Sequence, residues 1–143
     1  MKKIILMGIF SIILVVFFLN EFTILNVEVY PVDAYIVENE VGFNLDTDKI
    51  HFGNVPLNSG GAYRQMSITN VYDEDVKVFL SDSGMINEFV YFEVDGENYE
   101  NYNFVLKSNE TKDYKIVFKN ENLPLGYYDG EIKIVVRKLY KFN

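Results

Sequence analysis

The hydrophobic pattern divides this chain in two. Met1-Lys2-Lys3 precedes an unbroken apolar run over residues 4–19, and no run of that kind recurs. Beyond about residue 25, short segments alternate between apolar and polar residues, with turn-forming clusters between them. Segments 35–37, 41–45, 49–52, 63–69, 76–80, 89–94, 104–106, 114–118 and 132–136 read this way. A period of two places alternate side chains on opposite faces of a strand. Met66 and Ile68 then share one face against Gln65, Ser67 and Thr69. Val76, Val78 and Leu80 form a second inward set, Tyr114, Ile116 and Phe118 a third, and Ile132, Ile134 and Val136 a fourth. Segment 89–94 is nearly all apolar and suits a strand covered on both faces. Residues 53–61, 70–75, 95–101 and 120–127 read as turns or loops. Seven or eight short strands at regular spacing, with no amphipathic helix among them, predict an all-β sandwich.

The opening run predicts a membrane helix. Sixteen residues at about 1.5 Å each span about 24 Å, slightly less than a bilayer core. Extension through Asn20 and Glu21 to residues 22–25 closes the gap. Lys2 and Lys3 before the run favour an N-terminus in the cytoplasm and a domain outside it. A cleaved signal peptide is the alternative, but the one small-x-small site, Val32-x-Ala34, lies far downstream beside Pro31. The expected organisation is an uncleaved anchor over 1–25, a short extended linker over 26–33 and one sandwich domain over 34–143. Within the linker Val27 and Val29 alternate with Asn26 and Glu28. The expected location is the cell membrane, crossed once, with contact through residues 4–25.

Composition narrows the function. There are no cysteines, which excludes disulfides, thiolate metal sites and a cysteine nucleophile. The chain beyond the apolar run holds 11 basic and 21 acidic residues, a net charge of −10. Such a surface repels nucleic acid. Eleven Tyr and twelve Phe supply the apolar mass of a core built without disulfides.

Candidate chemistry is sparse. His51 is the only histidine; alternation turns Ile50 and Phe52 inward and His51 outward, to the surface or rim. Asp46, Asp48, Asp73, Glu74 and Asp75 fit turns and lack the pattern of a calcium loop. Were calcium bound, Asp73, Asp75 and Asp82 are the better set. Tyr99 and Tyr102, with amides around them, suit either stacking on a sugar or partner, or packing over the sandwich edge. Asn109-Glu110-Thr111 is a glycosylation sequon on a turn. Arg137, Lys138, Tyr140 and Lys141 reverse the charge of the domain at its end. With seven strands, this basic-aromatic segment falls at the membrane-distal tip. No nucleophile, base or metal set stands out, so no enzyme, cofactor or small-molecule ligand is expected.

Two segments carry a resemblance. Ile50-His51-Phe52-Gly53-Asn54-Val55, followed by Met66-Ser67-Ile68-Thr69-Asn70 and Val76-Lys77-Val78, resembles the opening strands of immunoglobulin-like sandwiches. The type is that of the ASPM/SPD-2/hydin and major-sperm-protein-like domains and their exported prokaryotic relatives. Leu123-Pro124-Leu125-Gly126-Tyr127-Tyr128-Asp129-Gly130-Glu131-Ile132 is similar to the approach to their last strand. The turn differs: Asn58 stands where the family has Gly, and Gly60-Gly61 are displaced. The residues make physical sense in such a fold. Gly53 and Gly130 suit positions where a side chain is blocked. Asn70 can bond the backbone at a strand end, and Tyr128 can place its hydroxyl on upstream backbone. Phe52 and Gly126 complete the motif. The resemblance implies a module for protein interaction or spacing in a cell-envelope assembly, with no catalytic residues. Two alternatives stay open: a glycan- or calcium-binding module, and an accessory subunit of a membrane or surface-filament complex.

Overall fold

The computed structural model describes residues 7–15, 23–39, 42, 48–57 and 59–139. Among these residues nine strands build two sheets. They are β1 (Ile24–Val37), β2 (Ile50–Pro56), β3 (Ala62–Thr69), β4 (Val76–Gly84), β5 (Val90–Val94), β6 (Glu97–Tyr99), β7 (Tyr102–Leu106), β8 (Thr111–Phe118) and β9 (Gly126–Lys138). One 3₁₀ turn, Asn87–Phe89, precedes β5. The first sheet has the order β2-β1-β9-β4-β7 and the second β3-β8-β5-β6. Every pairing between these strands is antiparallel except β1 with β2. The fold is therefore a two-layer all-β sandwich.

The inward sets expected from alternation form its core. Val76, Val78, Leu80, Tyr114, Ile116, Phe118, Ile132, Ile134 and Val136 are all buried. Phe52 joins them, its ring centroid 5.5 Å from that of Phe118. Met66 and Ile68 pack on the same core from β3. β5 is covered on one face only: Val90, Phe92 and Val94 are buried, while Glu93 pairs with Lys115 across to β8.

Glycine serves close approach at two positions. Gly53 holds φ at +75° within β2, a conformation that costs any residue with a Cβ. A Cβ on Gly130 would stand 2.2 Å from the Ser83 carbonyl oxygen. Side-chain polar groups then finish the turns. The buried Asn70 amide donates to the carbonyls of Glu74, Leu106 and Lys107 at 2.9–3.2 Å, and its oxygen accepts from the Tyr72 N–H. The Tyr128 hydroxyl donates to the Pro124 carbonyl at 2.9 Å, and its ring meets Phe89 edge-on.

Besides β5, expected to be covered on both faces, four expectations change. Residues 26–33 are not a linker but part of β1, paired to β9 from Ile24↔Arg137 to Ile36↔Gly126. A membrane helix therefore cannot extend through Ile24 and Leu25, whose backbone is already extended. Residues 7–15 are helical, with Met7, Ile9, Phe10, Ile12, Ile13, Leu14 and Val15 all exposed. No helix among the described residues is long and apolar enough to cross a membrane. Third, the end of β9 lies beside the start of β1, not at the opposite tip. The Lys138 N–H donates to the Thr23 carbonyl at 2.8 Å. The tip placement assumed that every successive strand reverses direction, and β1 and β2 run parallel. Fourth, β6 lies within the segment expected as loop 95–101.

Candidate functional site

β1 has two unlike halves, and each makes one feature of note. Over Val32–Val37 the strand lies between β9 and β2. Asp33 there points to the outer side of its sheet, beside His51 of β2. His51 was expected to sit at the surface, and it does point away from the core. It is nevertheless only 5 % exposed. Its Nδ1 lies 2.7 Å from Asp33 Oδ1 and its Nε2 3.0 Å from Asp48 Oδ1. Both partners are carboxylate acceptors, an arrangement that favours hydrogen on both nitrogens and so the imidazolium form. Lys49 Nζ sits 2.8 Å from Asp33 Oδ2, and the Tyr127 hydroxyl donates weakly to the same oxygen.

Burial works against the charge on His51, but the hydrogen bonds to Asp33 and Asp48 outweigh it and hold the imidazole above its usual range. Burial likewise works to raise Asp33, and Lys49 and His51 together bring it below the usual carboxylate range. The Tyr35 ring packs at a tilt against Tyr127 beside this knot, with ring centroids 4.7 Å apart. Among the described residues no group of His, Cys, Asp or Glu is disposed to hold a metal ion. The arrangement joins β1 to β2 by charge and to β9 by the weak Tyr127 hydrogen bond.

Over Ile24–Pro31 β1 pairs with β9 alone, and among the described residues no strand meets its other edge. Its side chains face contrary to a simple hydrophobic reading. Val27 and Val29 point outward and are 43 % and 47 % exposed. Asn26, Glu28 and Tyr30 lie opposite the buried Val136, Ile134 and Ile132, so they point between the sheets.

Between this half of β1 and β3 the sandwich is open. A slot of about 250 Å³ lies there, with Asn26, Glu28 and Tyr30 on one wall and Met66 to Asn70 on the other. Its floor includes Leu106, Tyr114 and Ile134. The Tyr30 hydroxyl donates to Glu28 Oε2 at 2.5 Å and the Asn26 amide donates to Oε1 at 2.9 Å. Tyr114 is 2 % exposed, and its hydroxyl finds no hydrogen-bond partner among the described residues. Burial, then the nearby Tyr30 and Glu28, drive its ionisation well above the usual tyrosine range.

The residues singled out from sequence fall elsewhere. Tyr99 and Tyr102 come together across the two sheets, centroids 4.2 Å apart, and pack half-buried against the core beside Phe104. That is the edge-packing alternative. Arg137 lies over the Phe79 ring at 5.4 Å, and Lys138 Nζ is 3.0 Å from Glu74 Oε1. Tyr140 and Lys141 lie outside the described residues. Asp73, Asp75 and Asp82 do not form a calcium site: Asp82 follows Val76 by six strand residues, roughly 20 Å along β4. Neither the slot nor the knot was expected from sequence. The one local signal was the run Asn26-Val27-Glu28-Val29, whose alternation marks a strand without telling which face turns in.

No protein-family model matches the chain, and no curated protein matches it in sequence. Solved structures give distant likenesses. The DraE adhesin, solved with chloramphenicol succinate, superposes with a TM-score of 0.46 at 10 % identity, over 81 % of this chain and 96 % of that one. A Burkholderia pseudomallei antigen and type I fimbria protein superposes with a TM-score of 0.43 at 8 % identity, over 78 % and 96 %. Superpositions this loose decide nothing about what this chain does.

Proposed function

We propose that this chain is a non-enzymatic, membrane-anchored immunoglobulin-like module that binds or spaces partner proteins in a cell-envelope assembly outside the cytoplasm. The observation that carries the reading is the first half of β1: a sheet edge with no strand beside it among the described residues, bearing two exposed valines. Such an edge is a ready template for another strand. The apolar run over 4–19 leads directly into it, and tethering to a membrane would raise its effective concentration for other membrane partners. The Tyr128 hydroxyl on upstream backbone and the glycine-dependent register at Gly130 support the immunoglobulin-like assignment and its likeness to the major-sperm-protein-like type.

The test is brief crosslinking of native membranes, gentle detergent extraction and pull-down on a C-terminal tag. A stoichiometric envelope partner that is lost in a Val27→Asp/Val29→Asp chain is the expected result. Extraction of the chain alone, at monomer mass, overturns the interaction role. Fractionation of the untagged chain checks the anchor separately: release by high salt or carbonate without detergent removes the membrane part of the reading.

A further inference from the structure

We propose that the slot between β1 and β3 receives one extended strand of a partner protein, whose inward side chains include a lysine or arginine directed at Glu28 and Tyr114. This deepens the interaction reading above and rests on it.

Three independent features converge on that occupant. The first is backbone. β2 flanks β1 only along Val32–Val37, so a strand lying alongside Ile24–Pro31 continues the line of β2 and closes the open flank. The second is polarity. Sandwich positions facing the opposite sheet are normally apolar, yet three successive ones here are the exposed Asn26 and Glu28 and the half-buried Tyr30. The Glu28 carboxylate already accepts from the neutral Tyr30 hydroxyl and Asn26 amide, so an aliphatic guest side chain would bury its charge with neutral donors alone, whereas an ammonium or guanidinium supplies the opposite charge. The third is the Tyr114 hydroxyl. It is buried at the floor of the slot with no partner among the described residues, a state that native interiors rarely leave unsatisfied. It can accept from the same cationic head.

The stem of that side chain finds Met66, Ile68 and Leu106 around it, matching the way long basic side chains bury methylenes and keep the charge at a polar end. The side chains on the guest's other face would extend the exposed row of Val27 and Val29, so they are apolar. The net charge of −10 beyond the apolar run favours approach of a basic strand. The guest thus alternates inward polar or basic residues with outward β-branched ones.

The experiment uses the full chain in detergent and a fluorescent hexapeptide, Thr-Val-Lys-Val-Thr-Val, capped at both ends. Two companions are made, one with Glu for Lys and one N-methylated along the backbone to remove its donors. Binding is read by anisotropy, and hydrogen exchange at Val27 and Val29 reports edge pairing. The Lys peptide should bind at least about tenfold more tightly than the Glu peptide, slow exchange at β1, and lose affinity on N-methylation. Glu28→Gln should bring the Lys and Glu peptides to near parity. Tyr114→Phe, which removes only the hydroxyl, should weaken the Lys peptide several-fold with the fold intact.

Equal binding of the Lys and Glu peptides, indifference to N-methylation, or no binding up to millimolar concentration overturns the assignment. The native pull-down separates the two failures. If Glu28→Gln leaves capture of an envelope partner unchanged, the partner docks elsewhere and only the slot assignment falls. If no partner is captured and no peptide binds, the interaction reading falls as well.

Discussion

The two halves of β1 show how one strand can be structural along one stretch and available along the next. Val32, Ala34 and Ile36 are buried to 2 % exposure or less, with β9 on one side, β2 on the other and an ionic knot over the outer face. Eight residues earlier the same strand has, among the described residues, β9 alone, with polar groups turned inward and valines turned out. Burial and pairing therefore change together along one element. The strand is ordered throughout because β9 runs beside nearly its whole length, while its capacity to accept another strand is confined to the half that β2 does not reach.

The largest effect should come from the line where the closed half begins. Gly130 pairs with Val32 on one side and Gly84 on the other. A methyl there meets the Ser83 carbonyl and the Ile86 side chain. Backbone cannot yield as a flexible side chain can, so Gly130→Ala should cost about 3 kcal/mol or more, measured by urea unfolding. A loss below about 1 kcal/mol would mean that β4 and β9 are not held so tightly.

The halves are compared directly by one pair of truncations. Ile36→Ala empties a closed core site and should cost about 3 kcal/mol. Val29→Ala removes exposed methyls and should cost less than about 0.5 kcal/mol. Similar losses at the two positions would erase the contrast and mean that the first half is covered in the native protein.

Much of this fold was legible and much of the site was not, for definable reasons. β3, β4, β8 and the second half of β9 alternate strictly over a one-sided core, and their inward residues follow from period two. β6 carries Glu97-Asn98-Tyr99 with no apolar alternation. Its real signal was Asp95-Gly96, both at positive φ, the two-residue turn that joins paired strands. The first half of β9 was hidden because Gly126 to Glu131 pair by backbone and carry little inward apolar surface. The ionic knot joins Asp33 and His51 across 18 positions, and only the parallel pairing of β1 with β2 brings them together. Asn70 and Tyr128 were visible because each acts within its own turn.

The knot in the closed half and a carboxylate across the sheet in the row of Tyr30 give the fold a pH signature. His51 is raised in the fold, so its contribution is complete below about pH 6.5 and is lost as pH rises through the folded value. Asp33 and Asp48 are lowered, so theirs is present above about pH 4 and lost as pH falls through their folded values. Asp82, in the row of Ile132 and Tyr30, is pushed by burial to about 6. A raised carboxylate acts with the opposite sign to a lowered one: stability falls as pH climbs from about 4 to about 6. Wild-type stability should therefore peak near pH 5. Asp82→Asn should gain about 1–2 kcal/mol at pH 8 and little at pH 4. His51→Gln should lose about 1 kcal/mol at pH 5, with the deficit shrinking toward pH 9. Thermal melts across this range decide both. A deficit in His51→Gln that grows with pH would mean that the imidazole is neutral in the fold.

A small effect is expected at Tyr114, and its sign carries the information. A buried hydroxyl with a good partner costs about 1 kcal/mol or more when removed, because the partner is left unsatisfied. A hydroxyl without one costs nothing to remove and returns part of its desolvation penalty. Tyr114→Phe in the isolated chain should therefore leave stability unchanged or raise it by up to about 1 kcal/mol. Tyr128→Phe, which breaks the bond to the Pro124 carbonyl, should lose about that amount. The same loss at both positions would mean that the Tyr114 hydroxyl is already satisfied in the free protein. The open side of the sandwich would then be complete without a guest, and the two halves of β1 would differ in exposure alone.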